Sequence, residues 1–205
     1  MRTNFNQFSS LPAVERALKR YEIEYKKLPG GRIIVPGDIQ LNMENLKELP
    51  DFTDVIVMGN FECMCNQLTS LKGAPKWVGG DFMCMGNPLT SLEHAPRHVG
   101  GDFECNSDDL YSLEGAPKAV GGKFSTHACP LPNLEHAPVK FKALVTALGT
   151  FTSWDDVPQK LKMSDETKAR LHEEALLDDA VMVNTVLQTR VCVTKPLSFR
   201  MQAAG

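Results

Sequence analysis

Six cysteines and five histidines are the side chains of this 205-residue chain best suited to chemistry. Cys63 and Cys65 form a Cys-x-Cys pair, and Cys84 and Cys105 follow Cys63 at intervals of 21 residues. If each interval is one turn of a coil, the thiols stack about 5 Å apart, the spacing of neighbouring strands. Such a stack could hold a metal, and Cys63 could bridge to Cys84. The paired Cys-x-x-Cys knuckles of common zinc sites are absent from the sequence, however. With Cys129 and Cys192 added, five of the six thiols lie in or beside positions that want small apolar groups, which favours reduced core cysteines. His94, His98, His127, His136 and His172 are scattered, which favours solvated surface positions. His94 and His136 alternate with Gly73 and Gly115 at equivalent places, as a solvated return segment would allow. Asp155 and Asp156 beside Trp154 could form a metal or acid–base pair, but a turn before a helix accounts for them as well. The expectation is a protein without catalytic residues, metal or cofactor.

The elements that must position these groups are one unit written four times. Phe61, Phe82, Phe103 and Phe124 recur every 21 residues, with Cys63, Cys84, Cys105 and Thr126 two places on. Leu68, Leu89, Leu110 and Leu131 form another column, and Leu71, Leu92, Leu113 and Leu134 a further one. Pro75, Pro96, Pro117 and Pro138 close the units. Gly79-Gly80, Gly100-Gly101 and Gly121-Gly122 precede the next Phe, where a tight return would use positive backbone angles. A fixed period of this size predicts stacked coils, each burying its apolar side against its neighbours. Ile39, Leu41, Leu46 and Leu49 repeat the internal spacing one unit earlier, giving about five coils that start near positions 39, 61, 82, 103 and 124.

The flanks read differently. Over residues 1–34, Ser9 or Ser10 can cap a helix in which Leu11, Val14, Leu18 and Tyr21 share a face opposite Glu15, Arg16, Lys19 and Arg20. This helix is expected to cap the first coil. After Pro138 the period is lost, and residues 139–205 are expected to be mainly helical, a second cap or a docking segment. Phe141, Leu144, Val145 and Leu148 open it, and a Gly-Thr turn and Trp154 follow. Ser164 caps a helical stretch in which Leu171, Ala175 and Leu176, then Val183, Val186 and Leu187, mark one bent helix or two short ones, while Val191–Thr194 has strand character.

Within one coil the residues read Phe-x-Cys-x-x-Asn-x-Leu-x-x-Leu, as in Phe61, Cys63, Asn66, Leu68 and Leu71. This resembles the leucine-rich repeat, and the continuation Leu-Thr-Ser-Leu-x-x-Ala-Pro is similar to the short repeats of bacterial secreted effectors and of phage and bacterial arrays. The resemblance covers residues 35–138. It implies an α/β repeat fold: a leucine-rich-repeat solenoid with parallel strands, an N-terminal helical cap and a helical C-terminal segment. In such a coil the Asn amide serves buried backbone groups. That column runs Glu44, Asn66, Asn87, Asp108, Cys129. The effector ligases with this repeat carry a large separate catalytic domain, whereas only about 65 residues follow the array here, so ligase activity is not implied.

Strand alternation leaves three columns outside the core. They are Asp38, Asn60, Asp81, Asp102, Lys123; then Gln40, Glu62, Met83, Glu104, Ser125; then Asn42, Met64, Met85, Asn106, His127. The candidate partner-binding residues are Glu62, Met64, Asp81, Met83, Met85, Asp102, Glu104 and Asn106, on the concave face that the resemblance implies. Adaptable thioethers within a carboxylate rim favour a protein partner with a basic or mixed basic–apolar surface. The net charge of -3 speaks against direct nucleic-acid binding, and the sequence has neither an 18-residue apolar run nor a secretory pattern. The expectation is therefore a cytoplasmic, non-enzymatic interaction module of a bacterium or phage-infected cell, with a phage-type inhibitor of a host enzyme or defence complex as its sharper form. A secreted effector or adaptor is the first alternative. An enzyme with its site near Trp154–Asp156 and Glu173-Glu174 is the second.

Overall fold

The structure, a computed structural model, describes residues 12–178. Helix α1 (Ala13–Arg20) comes first. It is followed by β1 (Lys26–Lys27), β2 (Ile33–Val35), β3 (Ile39–Gln40), β4 (Val55–Val57), β5 (Phe61–Glu62), β6 (Trp77–Val78) and β7 (Phe82–Met83). The strands continue with β8 (His98–Val99), β9 (Phe103–Glu104), β10 (Ala119–Val120), β11 (Lys123–Thr126), β12 (Ala143–Thr146) and β13 (Gly149–Phe151). A second helix, α2, occupies residues 165–178.

Each repeat contributes one strand to each of two sheets. Sheet A runs β1-β2-β4-β6-β8-β10 and sheet B runs β13-β12-β11-β9-β7-β5-β3. Pairing along the stack is parallel, with Phe61, Phe82, Phe103 and Phe124 in one register. It turns antiparallel where β1 covers β2 and where β13 folds back on β12. The chain is thus a parallel β-solenoid of about five coils with a period of about 21 residues. The return leg, not assigned to strands from the sequence, is itself a sheet. Its signal lay in the apolar triplets Ile33–Val35 and Val55–Val57.

The repeat columns become the core. The four Phe rings are fully buried and stack nearly parallel, with centroids 5.4, 5.4 and 5.0 Å apart. Phe52 closes the row edge-on at 6.0 Å from Phe61. Offset stacks of this kind add to the area they bury, and they are possible only because in-register coils present the same ring to one another. The Leu68 and Leu71 columns and Val57, Val78, Val99 and Val120 fill the remaining interior.

The paired glycines answer a different demand from the one the sequence suggested. None of Gly79, Gly80, Gly100, Gly101, Gly121 or Gly122 has a positive φ. Their constraint is close approach. A Cβ on Gly100 would run into the Gly79 carbonyl oxygen, and one on Gly101 into Asp81 Oδ1. Left-handed backbone occurs at other positions, among them the equivalent places Gly73, His94, Gly115 and His136 (φ 68° and 65° at the two histidines). The histidines there tolerate a conformation that glycine adopts freely.

Both ends are closed. Leu18 of α1 is fully buried, with Val14 and Tyr21 packed partly beside it. Glu15, read from the sequence as part of the polar face, is instead buried; it pairs with Lys27 at 2.9 Å and accepts a hydrogen bond from Tyr25 at 2.8 Å. Leu11 and the Ser9/Ser10 cap lie outside the described residues. At the far end the period does not stop at Pro138: Leu144 pairs in register with Phe124, and β12 extends sheet B by a further parallel strand. Its spacing of 20 residues and the absence of a Phe hid it. Gly149-Thr150 lies within β13 rather than in a turn, the turn falling at residues 147–148. Trp154, Val157, Met163, Leu171 and Ala175 are buried over that end, whereas Leu176, expected to join them, is exposed. Ser164 caps α2, accepting the Thr167 N–H at 3.2 Å. Val183, Val186, Leu187 and the strand-like Val191–Thr194 lie outside the described residues.

Two predictions follow from this architecture. Phe103→Ala should cost roughly 3–5 kcal/mol for a buried aromatic, and Gly100→Ala about 1–3 kcal/mol or more through overpacking against backbone. Urea unfolding measures both, and a neutral Gly100→Ala would contradict the close approach. The second concerns the cap. The hydrogen bonds from Lys27 and Tyr25 hold the Glu15 carboxyl below its ordinary range. Its contribution to stability is therefore complete above the unfolded value, about 4.3, and is lost as pH falls through the lower folded value. The stability difference between wild type and Glu15→Gln should shrink as pH drops through that window, and a constant difference would refute the role of the charge.

Candidate functional site

The outer face of sheet B is built from residues that cannot point inward. In β5, β7 and β9 the Phe is fully buried while the next residue (Glu62, Met83, Glu104) is half-buried. All eight residues expected at the partner site lie on this one face: Glu62, Met64, Asp81, Met83, Met85, Asp102, Glu104 and Asn106. Each is half-buried. The thioethers are therefore only partly open to solvent. Strand pairing holds Met83 in register between Glu62 and Glu104.

The Asp column has a structural task as well. Asp38 Oδ1 accepts the Asn60 N–H at 2.7 Å and Asn60 Oδ1 the Asp81 N–H at 2.9 Å. Asp81 Oδ1 in turn accepts the Asp102 N–H, and Asp102 Oδ1 the Lys123 N–H, each at 2.7 Å. The ladder runs coil to coil and stops at Lys123, whose side chain cannot accept. In the adjoining row Glu62 and Glu104 are separated by Met83, so no two carboxylates of that row are direct neighbours. Asn42 donates to Glu62 at 2.7 Å and uses its own oxygen to accept the Met64 N–H at 2.8 Å. At the other end Lys123 pairs with Glu104 and lies 3.9 Å from Asp102. The hydrogen bond to Glu104, with Asp102 and Asp81 farther off, raises the Lys123 ammonium above its usual range.

Beneath the face, the Asn column works as expected in mid-array. Asn66 donates to the Leu41 and Cys63 carbonyls at 2.7 and 3.1 Å and accepts the Leu46 N–H at 3.0 Å. Asn87 repeats this with Cys63 and Cys84 at 2.9 and 3.0 Å and with the Leu68 N–H at 3.1 Å. One coil on, the position falls to Ser107, which donates to the Leu89 carbonyl at 2.7 Å, while Asp108 is exposed. Cys129 then fills it as a weak donor to the Cys105 carbonyl at 3.7 Å. Glu44 is exposed and takes no such part.

Among the described residues the cysteines are free thiols: Cys63, Cys84, Cys105 and Cys129 are buried and Cys65 is exposed. Cys192 lies outside them. Burial pushes the Cys63 and Cys84 thiols up, and the hydrogen bond with Cys105 together with burial does the same at Cys129. Thiols held protonated are poor nucleophiles. Thr126 continues the thiol column fully buried, and its hydroxyl has no hydrogen-bond partner. No group of three or more His, Cys, Asp or Glu side chains is arranged for a metal among the described residues. Asp156 secures a turn, accepting Thr152 Oγ1 at 2.9 Å and the Ser153 N–H at 3.0 Å. Trp154 is buried and donates to the Pro138 carbonyl at 3.2 Å. Glu174 binds Lys118, fastening α2 to the array.

Three features escaped the sequence reading. One is the Lys123–Glu104 pair. Another is the Asp/Asn ladder, although the recurrence of Asp or Asn at one position, Asp38, Asn60, Asp81 and Asp102, was visible. The third is a groove of about 550 Å³ beside sheet A, lined in part by Arg32, Lys76, Trp77, Arg97 and His98. His98, expected to be simply solvated, stacks on Trp77 at 5.9 Å. Among the described residues no helix is long and apolar enough to cross a membrane. Comparison with protein-family models, curated proteins and solved structures finds no match for this chain.

Thiol accessibility tests the layering directly. In the native protein, an alkylating reagent should modify Cys65 while Cys63, Cys84, Cys105 and Cys129 react only after denaturation, as read by peptide mass mapping. Rapid native modification of Cys84 would show that this face is open to its core.

Proposed function

We propose that this chain is a non-enzymatic binding module that uses the outer face of sheet B to hold a protein partner with a basic, partly apolar surface. The observation that supports the reading most is the register itself. It lines up Met64, Met83 and Met85 beside Glu62, Asp81, Asp102 and Glu104 on one continuous sheet. Thioethers repack around varied apolar surfaces, and a fixed carboxylate pattern gives orientation and association rate.

Kinship with the leucine-rich repeats belongs to the same proposal, supported by the Phe-x-Cys-x-x-Asn-x-Leu pattern and by the Asn66 and Asn87 amides that serve successive coils. In its sharper form the module is a phage-type inhibitor acting in a bacterial cytoplasm by covering a host enzyme or defence complex. Rigid repeat surfaces suit such masking because little order is lost on binding.

Met83→Arg or Met85→Arg, which removes the apolar contact and repels a basic surface, should lower partner retention at least about tenfold, a loss of roughly 1.4 kcal/mol. Tagged wild type and variants incubated with bacterial lysate, with retained proteins quantified by mass spectrometry, measure it. Equal retention by both variants, with native circular dichroism, would remove sheet B from the interface. The inhibitor form fails if purified protein leaves the activity of the retained enzyme or complex unchanged.

A further inference from the structure

The acidic face already holds one cation, and that cation comes from the chain itself. Lys123 ends the Asp38–Asn60–Asp81–Asp102 column, at the place where the next acceptor would stand. Its ammonium reaches back one coil to Glu104 and lies 3.9 Å from Asp102. The contact is not sealed: the Lys123, Glu104 and Asp102 side chains are 39%, 20% and 40% exposed. A partly exposed surface pair of this kind is readily exchanged, because its net worth in water is small. Elsewhere on the face, Glu62 is occupied by the neutral Asn42 amide, which leaves its charge uncompensated. The carboxylate pair of Asp102 and Glu104 is thus a cation subsite closed from within, while the coils before it keep their negative charge.

We infer that Lys123 is a built-in competitor for a basic side chain of the partner, so that it limits affinity and selects partners able to displace it. The inference rests on the proposed use of sheet B and adds the chemistry of the occupant. That occupant is an extended lysine- or arginine-bearing segment whose apolar residues meet Met83 and Met85 and whose cation takes the place of the Lys123 ammonium. Displaced into solvent, Lys123 keeps its charge and regains hydration, so the exchange of one ammonium for another is nearly neutral. The apolar contacts and the negative charge of the earlier coils then decide the balance.

The experiment uses the full chain and a fluorescent, end-blocked peptide of sequence Lys-Leu-Lys-Leu-Lys, with anisotropy read at low and moderate salt. Lys123→Gln should bind the peptide roughly two- to five-fold more tightly than wild type, the range expected from removing one exposed competing pair. Adding Glu104→Gln to that variant should cancel the gain, and moderate salt should reduce it. If Met83→Arg weakens the peptide but Lys123→Gln leaves affinity unchanged or lowers it, the face is used and the competitor role is overturned. If Met83→Arg has no effect on bound peptide, the docking face itself is wrong and the inference falls with it. Absence of binding to both wild type and Lys123→Gln overturns the inference too, since a vacated carboxylate pair on this face must hold a lysine-rich probe.

Discussion

The distance between successive coils at the Gly-Gly corner sets the rest of this structure. There the backbone of one coil lies so close to the next that a methyl group cannot be placed between them. The same approach brings each Asp or Asn side chain within hydrogen-bond reach of the amide one coil later. With the corner held, the Phe rings stack at 5.0–5.4 Å and the strands pair without a register shift. Stability in such an array is nearly one-dimensional, each coil depending on its neighbours. The ends must therefore be covered, here by α1 and β1 on one side and by the β12–β13 hairpin with Trp154 on the other.

The same constraint shapes the surface. One oxygen of each ladder Asp is committed to backbone, so the charge on Asp81 and Asp102 is fixed in place by folding rather than carried on a free side chain. The methionines sit in register between these carboxylates, half-buried and restrained. In the proposed role, a face of this sort would lose little entropy on binding. Orphaned polar atoms mark where the pattern is imperfect. Thr126 stands in the cysteine column with an unpaired hydroxyl, at a cost of about 1–3 kcal/mol for a buried group of this type.

Much of this was legible in the sequence, because columns at a fixed interval state the register outright. The inward Phe and Cys positions, the outward Glu and Met positions and the Asn amides at 66 and 87 needed only strand alternation to be placed. What could not be read came from contacts between coils. The glycines look like turn residues until the neighbouring carbonyl is set beside them. Glu15 looks solvated until β1 brings Lys27 and Tyr25 to it. The sixth strand of the parallel stack was missed because Leu144 stands where a Phe had been the marker. Ser107 took the amide position from Asp108 because that coil shifts by one residue before returning to register at Leu110.

The central claim is that the outer face of sheet B meets the partner, and methionine methyl resonances report on it most directly. In the full chain carrying ¹³C-methyl methionine, Met64, Met83 and Met85 lie on that face, Met163 is buried, and Met43 and Met58 are exposed elsewhere. On adding the protein retained from lysate, the Met64, Met83 and Met85 signals should shift or broaden while Met163 stays in place. Unmoved Met64, Met83 and Met85 signals in a complex shown to have formed would contradict it.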